Sequence, residues 1–257
     1  MDPGYRSALV DFFRRGEVAA DVRLVAAKGA LAPRAHEQLA ILLILVDDAD
    51  PLIAATAAAT IDSLPHAAVS RFLGRSDVPE AMRAYFAARG ILPEASSASD
   101  GEAETLAPPD AEPVVEEGTD GDSPDPQTLA SLPVLARLKL AMRGSREQRA
   151  QLIRDSNKLV AAAVLSSPKL TEAEIESFAR MATLAEEILR VIATTRAWTK
   201  NYKVASGLAR NPKTPPALAM SLLQRLNERD LKTIAVDRNV SEPVRLAAKK
   251  FVSKGQR

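Results

Sequence analysis

Apolar side chains along this chain recur at intervals of three and four, strand-like alternation is missing, and alanine is abundant throughout. That rhythm predicts an all-α fold. Tyr5, Ala8, Leu9, Phe12 and Phe13 form one helical stripe that Gly16 closes. Pro33 opens a second helix running through Val46, and Asp50-Pro51 supplies an N-cap and a first-turn proline for a third running toward Ser63. Pro79 begins another, which Gly90 ends. In the C-terminal half the pattern predicts helices at about 133–142, 146–154, 158–166, 172–181, 184–194, 201–209, 215–226, 228–236 and 242–252. Thr171 with Glu174, and Thr183 with Glu186, both fit the capping box, in which a threonine and the glutamate three residues later satisfy each other's amides. Thr214-Pro215 and Ser241 read as two further helix starts, with Pro243 early in the last helix.

The helices are short and their connections tight, which suits close stacking of helical pairs. An internal repeat supports this: Arg210-Asn211, Pro215 and Leu218-Ala219 return at an offset of 28 as Arg238-Asn239, Pro243 and Leu246-Ala247. A looser copy, Ser166-Ser167-Pro168-Lys169 leading to Thr171 and Ile175, precedes them. A unit of this size cannot bury its apolar side alone, so copies must stack into a solenoid.

Charge divides the chain into three. Residues 1–92 carry 10 basic and 11 acidic side chains, residues 93–127 carry none and 11, and residues 128–257 carry 24 and 11. The near-neutral total of +1 therefore conceals a net −11 beside a net +13. The middle block is rich in proline and serine and too poor in large apolar residues to offset chain entropy, so it reads as a disordered acidic linker between two helical-repeat domains, 1–92 and 128–257. Such a linker is either a solubilising tether, with Ser96, Ser97 and Ser99 available for modification, or an arm that competes with an anionic partner.

The segment Ala209-Arg210-Asn211-Pro212-Lys213-Thr214-Pro215 resembles the corner signature of the leucine-rich repeat variant family. Asp48-Ala49-Asp50-Pro51, followed by an alanine-rich helix through Ile61, is similar to the start of a HEAT-like repeat. The C-terminal stretch as a whole resembles helical-repeat proteins of uncharacterised bacterial families. These resemblances imply two short α-solenoids used as binding surfaces. An iron–sulfur cluster is associated with some members of the repeat-variant family, but this chain has no cysteine to hold one.

Composition removes much chemistry. Zero cysteines exclude disulfides, thiolate nucleophiles and Cys-ligated metals, and two histidines leave little for a His-based site. The eleven glycines are scattered singly, so no phosphate-cradling loop is present. His36 and His66 lie in separate segments without metal-binding spacing and read as structural. Asp47, Asp48 and Asp50 read as a capping turn rather than a cation site. The longest apolar run, Leu39 to Val46, is eight residues and far short of the roughly 18–20 of a membrane span. No signal peptide is visible at the N-terminus, and a cytoplasmic location is expected.

One constellation invites a functional reading. Arg196, Trp198, Lys200, Tyr202 and Lys203, followed by Arg210 and Lys213, place the single tryptophan and a tyrosine among cations. Aromatic faces with cations suit an acidic protein partner, or bases and phosphates of nucleic acid, while a purely structural reading has Trp198 and Tyr202 covering a helix corner. The expectation is a non-enzymatic scaffold or adaptor, without cofactor or metal, that binds a protein with an acidic surface. The alternative is a nucleic-acid-binding module modulated by the linker. Resemblance to HEAT-like DNA glycosylases offers an enzyme reading, with Asp155, Asp230 and Asp237 as available carboxylates, though nothing in the sequence places one beside Trp198.

Overall fold

The computed structural model of the chain describes residues 3–31, 34–94 and 126–255. Pro33, the three serines and nearly all of the expected acidic linker lie outside them. Among the described residues every regular element is a helix. The chain divides into two compact units, one formed by residues 1–145 with 162–169 and the other by residues 146–161 with 170–257.

Unit 1 contains α1 (Ala8–Arg14), α2 (Ala20–Ala27), α3 (Ala35–Leu45), α4 (Pro51–Ser63), α5 (His66–Leu73), α6 (Glu80–Ala87), α7 (Pro126–Ser131) and α8 (Val134–Arg143). It also takes the second half of α10 (Lys158–Leu165). α3 is the central helix: α1, α2 and α4 pack on it, and Leu39, Leu42 and Leu43 are wholly enclosed. A helix that is apolar all round must be surrounded. α4 has a narrower stripe, burying Ile53, Ala57 and Ile61 at every fourth position. Its start is as expected, since the Asp50 carboxylate accepts from the Leu52 amide at 2.9 Å and Pro51 occupies the first turn. Asp48 accepts both the Asp50 amide, at 2.9 Å, and the Arg23 guanidinium, at 2.6 Å to each oxygen, so this acidic run is a capping turn tied to α2. α2 and α5 were not legible in the sequence, because Ala19 and Pro65 at their N-caps offer no side-chain cap.

Unit 2 contains α9 (Arg146–Leu152), the first half of α10, α11 (Glu172–Arg180), α12 (Glu186–Thr194), α13 (Arg196–Thr199), α14 (Tyr202–Arg210), α15 (Pro216–Leu223), α16 (Glu228–Val236) and α17 (Glu242–Gly255). α9, α11, α14 and α16 pack in that order, each on the next, and α12, α15 and α17 do the same. The corners joining the two rows share one form. Met181, Asn211 and Asp237 are extended residues ending α11, α14 and α16, and the following helix begins five residues later each time. Three residues into each corner a side chain is buried: Leu184, Thr214 and Val240.

That buried position corrects two expected helix starts. Leu184 must fill the corner, so Thr183 lies in the turn, Ala185 takes the N-cap, and Glu186 opens α12 instead of closing a capping box. Thr214 is likewise drawn inside, leaving Pro215 at the N-cap and Pro216 as the first helical residue. The corners also revise the repeat register. Asn211 corresponds to Asp237, an offset of 26, whereas the sequence match paired it with Asn239.

Polar links between neighbouring helices favour a step of 25 residues. Arg149 to Glu174, Asn201 to Glu176, Arg225 to Lys200 and Asn227 to Tyr202 all keep it. The firmest is the Arg149–Glu174 pair, with guanidinium-to-carboxylate distances of 2.9 and 3.0 Å and both side chains buried. Glu174 also accepts the Thr171 amide at 3.0 Å while the Thr171 hydroxyl accepts the Glu174 amide at 3.3 Å, forming the expected capping box. Burial pushes the Glu174 carboxyl up, but the hydrogen bonds from Arg149 and Thr171 outweigh it and hold the group below its ordinary range.

Candidate functional site

The seven residues singled out in the sequence all fall in unit 2, but the structure sorts them into two places. Tyr202, Lys203 and Arg210 stand along α14 and line a groove of about 610 Å³ with Arg180, Asn211 and Asp237. Gly207 on the same helix keeps the floor low: a Cβ there would meet Ala179 Cβ at 3.3 Å and Arg180 Cγ at 3.2 Å. The groove's cations are largely neutralised from within. Arg210 pairs with Asp230, and Lys203 reaches Glu176 at 3.6 Å. Tyr202 donates its phenol to Asp230 and accepts the Asn227 amide at 3.2 Å, so it clasps α14 to α16. Burial and that bond to Asp230 push the phenol above its ordinary pKa. Asn211 is fully engaged as a corner brace, donating to the Ala179 and Met181 carbonyls at 3.0 Å each and accepting the Lys213 amide at 3.0 Å. Lys213 itself is exposed at the tip of that corner.

Of the other three, Arg196 and Trp198 lie in α13, a single turn that the sequence pattern leaves between two helices, and Lys200 is its C-cap. Its start has no side-chain cap, which removes the usual signal. Thr199 is buried and Trp198 half-buried, which fixes the turn against unit 2 and leaves Arg196 and Lys200 exposed. These two are four apart along one helical turn, the Lys200 amide bonding to the Arg196 carbonyl at 3.2 Å, so their side chains share a face. From the end of α15, the exposed Arg225 brings its guanidinium to the Lys200 carbonyl at 3.5 Å. Among the described residues no carboxylate lies within ion-pair distance of Arg196, Lys200 or Arg225. The sequence reading missed Arg225, although it stands 25 residues after Lys200, the same step that the other inter-helix links keep.

The histidines are structural in setting. His36 is stacked on Tyr5 with centroids 5.2 Å apart, meets Phe72 edge-on at 4.6 Å, and has Nε2 3.4 Å from Asp77. His66 is the exposed first residue of α5. Among the described residues no group of three or more His, Asp or Glu side chains converges as a metal site would. Nor is any single described helix long and apolar enough to cross a membrane; α4 and α5 reach the required length and composition only as a pair bent by 89°.

Comparison of the chain with protein-family models, with curated proteins and with solved structures finds no match in any of the three.

Proposed function

We propose that unit 2 is a short α-solenoid and that the protein acts as a non-enzymatic scaffold, docking an acidic segment of a partner protein on the α13 turn. The repeated corner and the recurring step of 25 residues support the solenoid. One observation carries the docking: Arg196, Lys200 and Arg225 meet at the turn that carries Trp198 and among the described residues have no carboxylate within ion-pair distance, while Lys203 and Arg210 of the groove are paired. Like charges four apart on a helix cost a few tenths of a kcal/mol, and an exposed cluster of this kind is relieved by an anionic partner. The half-buried indole offers the apolar anchor that Arg and Trp supply together at interface centres. Nucleic acid is the weaker reading, because Tyr202 is held at its phenol by two hydrogen bonds and Trp198 is left as the one aromatic beside these cations.

Trp198 is the only tryptophan, so its emission reports on this turn alone. Titrating the full chain with a glutamate-rich peptide carrying one leucine should shift that emission with a salt-sensitive affinity. The double variant Arg196→Glu, Lys200→Glu should weaken binding at least about tenfold, roughly 1.4 kcal/mol. An unchanged affinity would remove the turn as the contact. Tighter, more steeply salt-dependent binding of oligothymidine than of the peptide would replace the protein reading with the nucleic-acid one.

A further inference from the structure

A second feature lies in unit 1. Glu37, on the first turn of α3, is 1% exposed and has no salt-bridge partner among the described residues. Its Oε1 accepts the Ser166 hydroxyl at 2.8 Å, whereas its Oε2 is buried without a hydrogen-bond partner of ordinary geometry among the described residues. Ser7, which caps α1, faces the same carboxyl. Arg34 is the nearest cationic influence, yet its guanidinium is spent on the Ser167 carbonyl at 3.1 Å. Ser167 in turn donates to the Met142 carbonyl at 2.8 Å. The short segment after α10 is thus fastened within unit 1 by three hydrogen bonds, one of them to the Glu37 carboxyl.

An ionised carboxylate has about four acceptor sites to satisfy, and here only the hydroxyls of Ser166 and Ser7 offer it hydrogen bonds in a dry surrounding. The neutral acid is the form this cluster accommodates. We propose that Glu37 is a proton-dependent latch: protonated, it holds the Ser166–Lys169 segment against α3, and ionised, it lets that segment go. The neighbouring groups agree in sign. Burial pushes the Glu37 carboxyl up, and the Ser166 bond, Arg34 and the Ser7 hydroxyl only partly oppose it. Tyr5, the other titratable group that feels Glu37, is pushed up to about 12 by burial and then by that carboxyl. Of the elements packed on α3, α1 carries Asp11 with Arg14, α2 carries Asp21 and Arg23, and α4 carries Asp62. Arg14 is bonded to Asp11 and Arg23 to Asp48, and none of these five is among the influences on Glu37. Because the folded value lies above the unfolded one, the latch is complete below the ordinary carboxylate range near 4.3 and weakens as pH rises through the folded value.

Amide hydrogen exchange of residues 162–169 in the full chain, corrected for the base-catalysed intrinsic rate, tests this. The wild type should show exchange accelerating at least about tenfold across a single titration above the ordinary carboxylate range. Glu37→Gln should remain slow throughout, while α17, in unit 2, keeps its protection in both. Ser166→Ala, which removes a bond favouring the charged form, should move the midpoint upward. A flat corrected profile in the wild type, the same acceleration in Glu37→Gln, or a midpoint that stays or falls in Ser166→Ala would overturn the proposal.

Discussion

Replacing Glu174 by glutamine keeps the side-chain shape and removes one charge, leaving Arg149 as a buried cation. Arg149 is 4% exposed and forms two bonds of 2.9 and 3.0 Å to that carboxylate, so water cannot take over the carboxylate's role. Unit charges about 4 Å apart attract by about 4 kcal/mol at an effective dielectric of about 20, and breaking a buried pair by removing one partner typically costs about 3–5 kcal/mol. Part of the capping box survives, since an amide oxygen can still accept from the Thr171 amide. The expected loss is therefore about 3 kcal/mol. Urea unfolding followed by Trp198 emission reads it directly, because the only indole sits in the same unit. The double variant Arg149→Met, Glu174→Leu should recover most of the stability, since apolar side chains of similar size satisfy a dry site without desolvating charge. A loss below about 1 kcal/mol for Glu174→Gln, or a double variant less stable than both single ones, would refute the claim that this pair is charged and dry.

Three further predictions follow from the packing. Thr214 occupies the corner position filled by Leu184 and Val240, and its buried hydroxyl has no partner among the described residues, so Thr214→Val should stabilise unit 2 by about 1 kcal/mol in the same urea assay. A Cβ at Gly74 would stand 1.7 Å from the Glu94 carbonyl oxygen, and the segment after α6 is bonded to the Ser70 carbonyl through the Glu94 amide at 3.1 Å; Gly74→Ala should cost about 1–3 kcal/mol and free that segment to proteolysis. Acid should act on unit 2 through Glu174: its lowered value means that the pair's stability is present above the ordinary carboxylate range and lost as pH falls through the folded value, whereas Glu174→Gln should show a flatter acid limb in thermal melts.

The all-helical class and most C-terminal helix positions were legible because periodicity and side-chain caps report local structure. Asp50-Pro51 and Thr171–Glu174 held for that reason, each capping bond being made between residues two or three apart. The Thr183 and Thr214 starts failed because a tertiary demand, a buried side chain in each corner, outranks the local preference. The site was half legible. The sequence collected a set of cations, but charge counts do not show which are neutralised, and Lys203 and Arg210 are ion-paired to Glu176 and Asp230. Arg225 became visible only through the spacing of contacts, and Glu37 was invisible because its Ser166 partner lies 129 residues away.

The central claim is that unpaired cations around Trp198 form the contact surface. Backbone amide shifts of the full chain, recorded while the glutamate-rich peptide is added, test it most directly. The account predicts that saturating shifts gather at residues 196–200 and at Arg225. Shifts concentrated instead on Arg180, Lys203 and Arg210 along the groove, or no saturable shift at low salt, would contradict it.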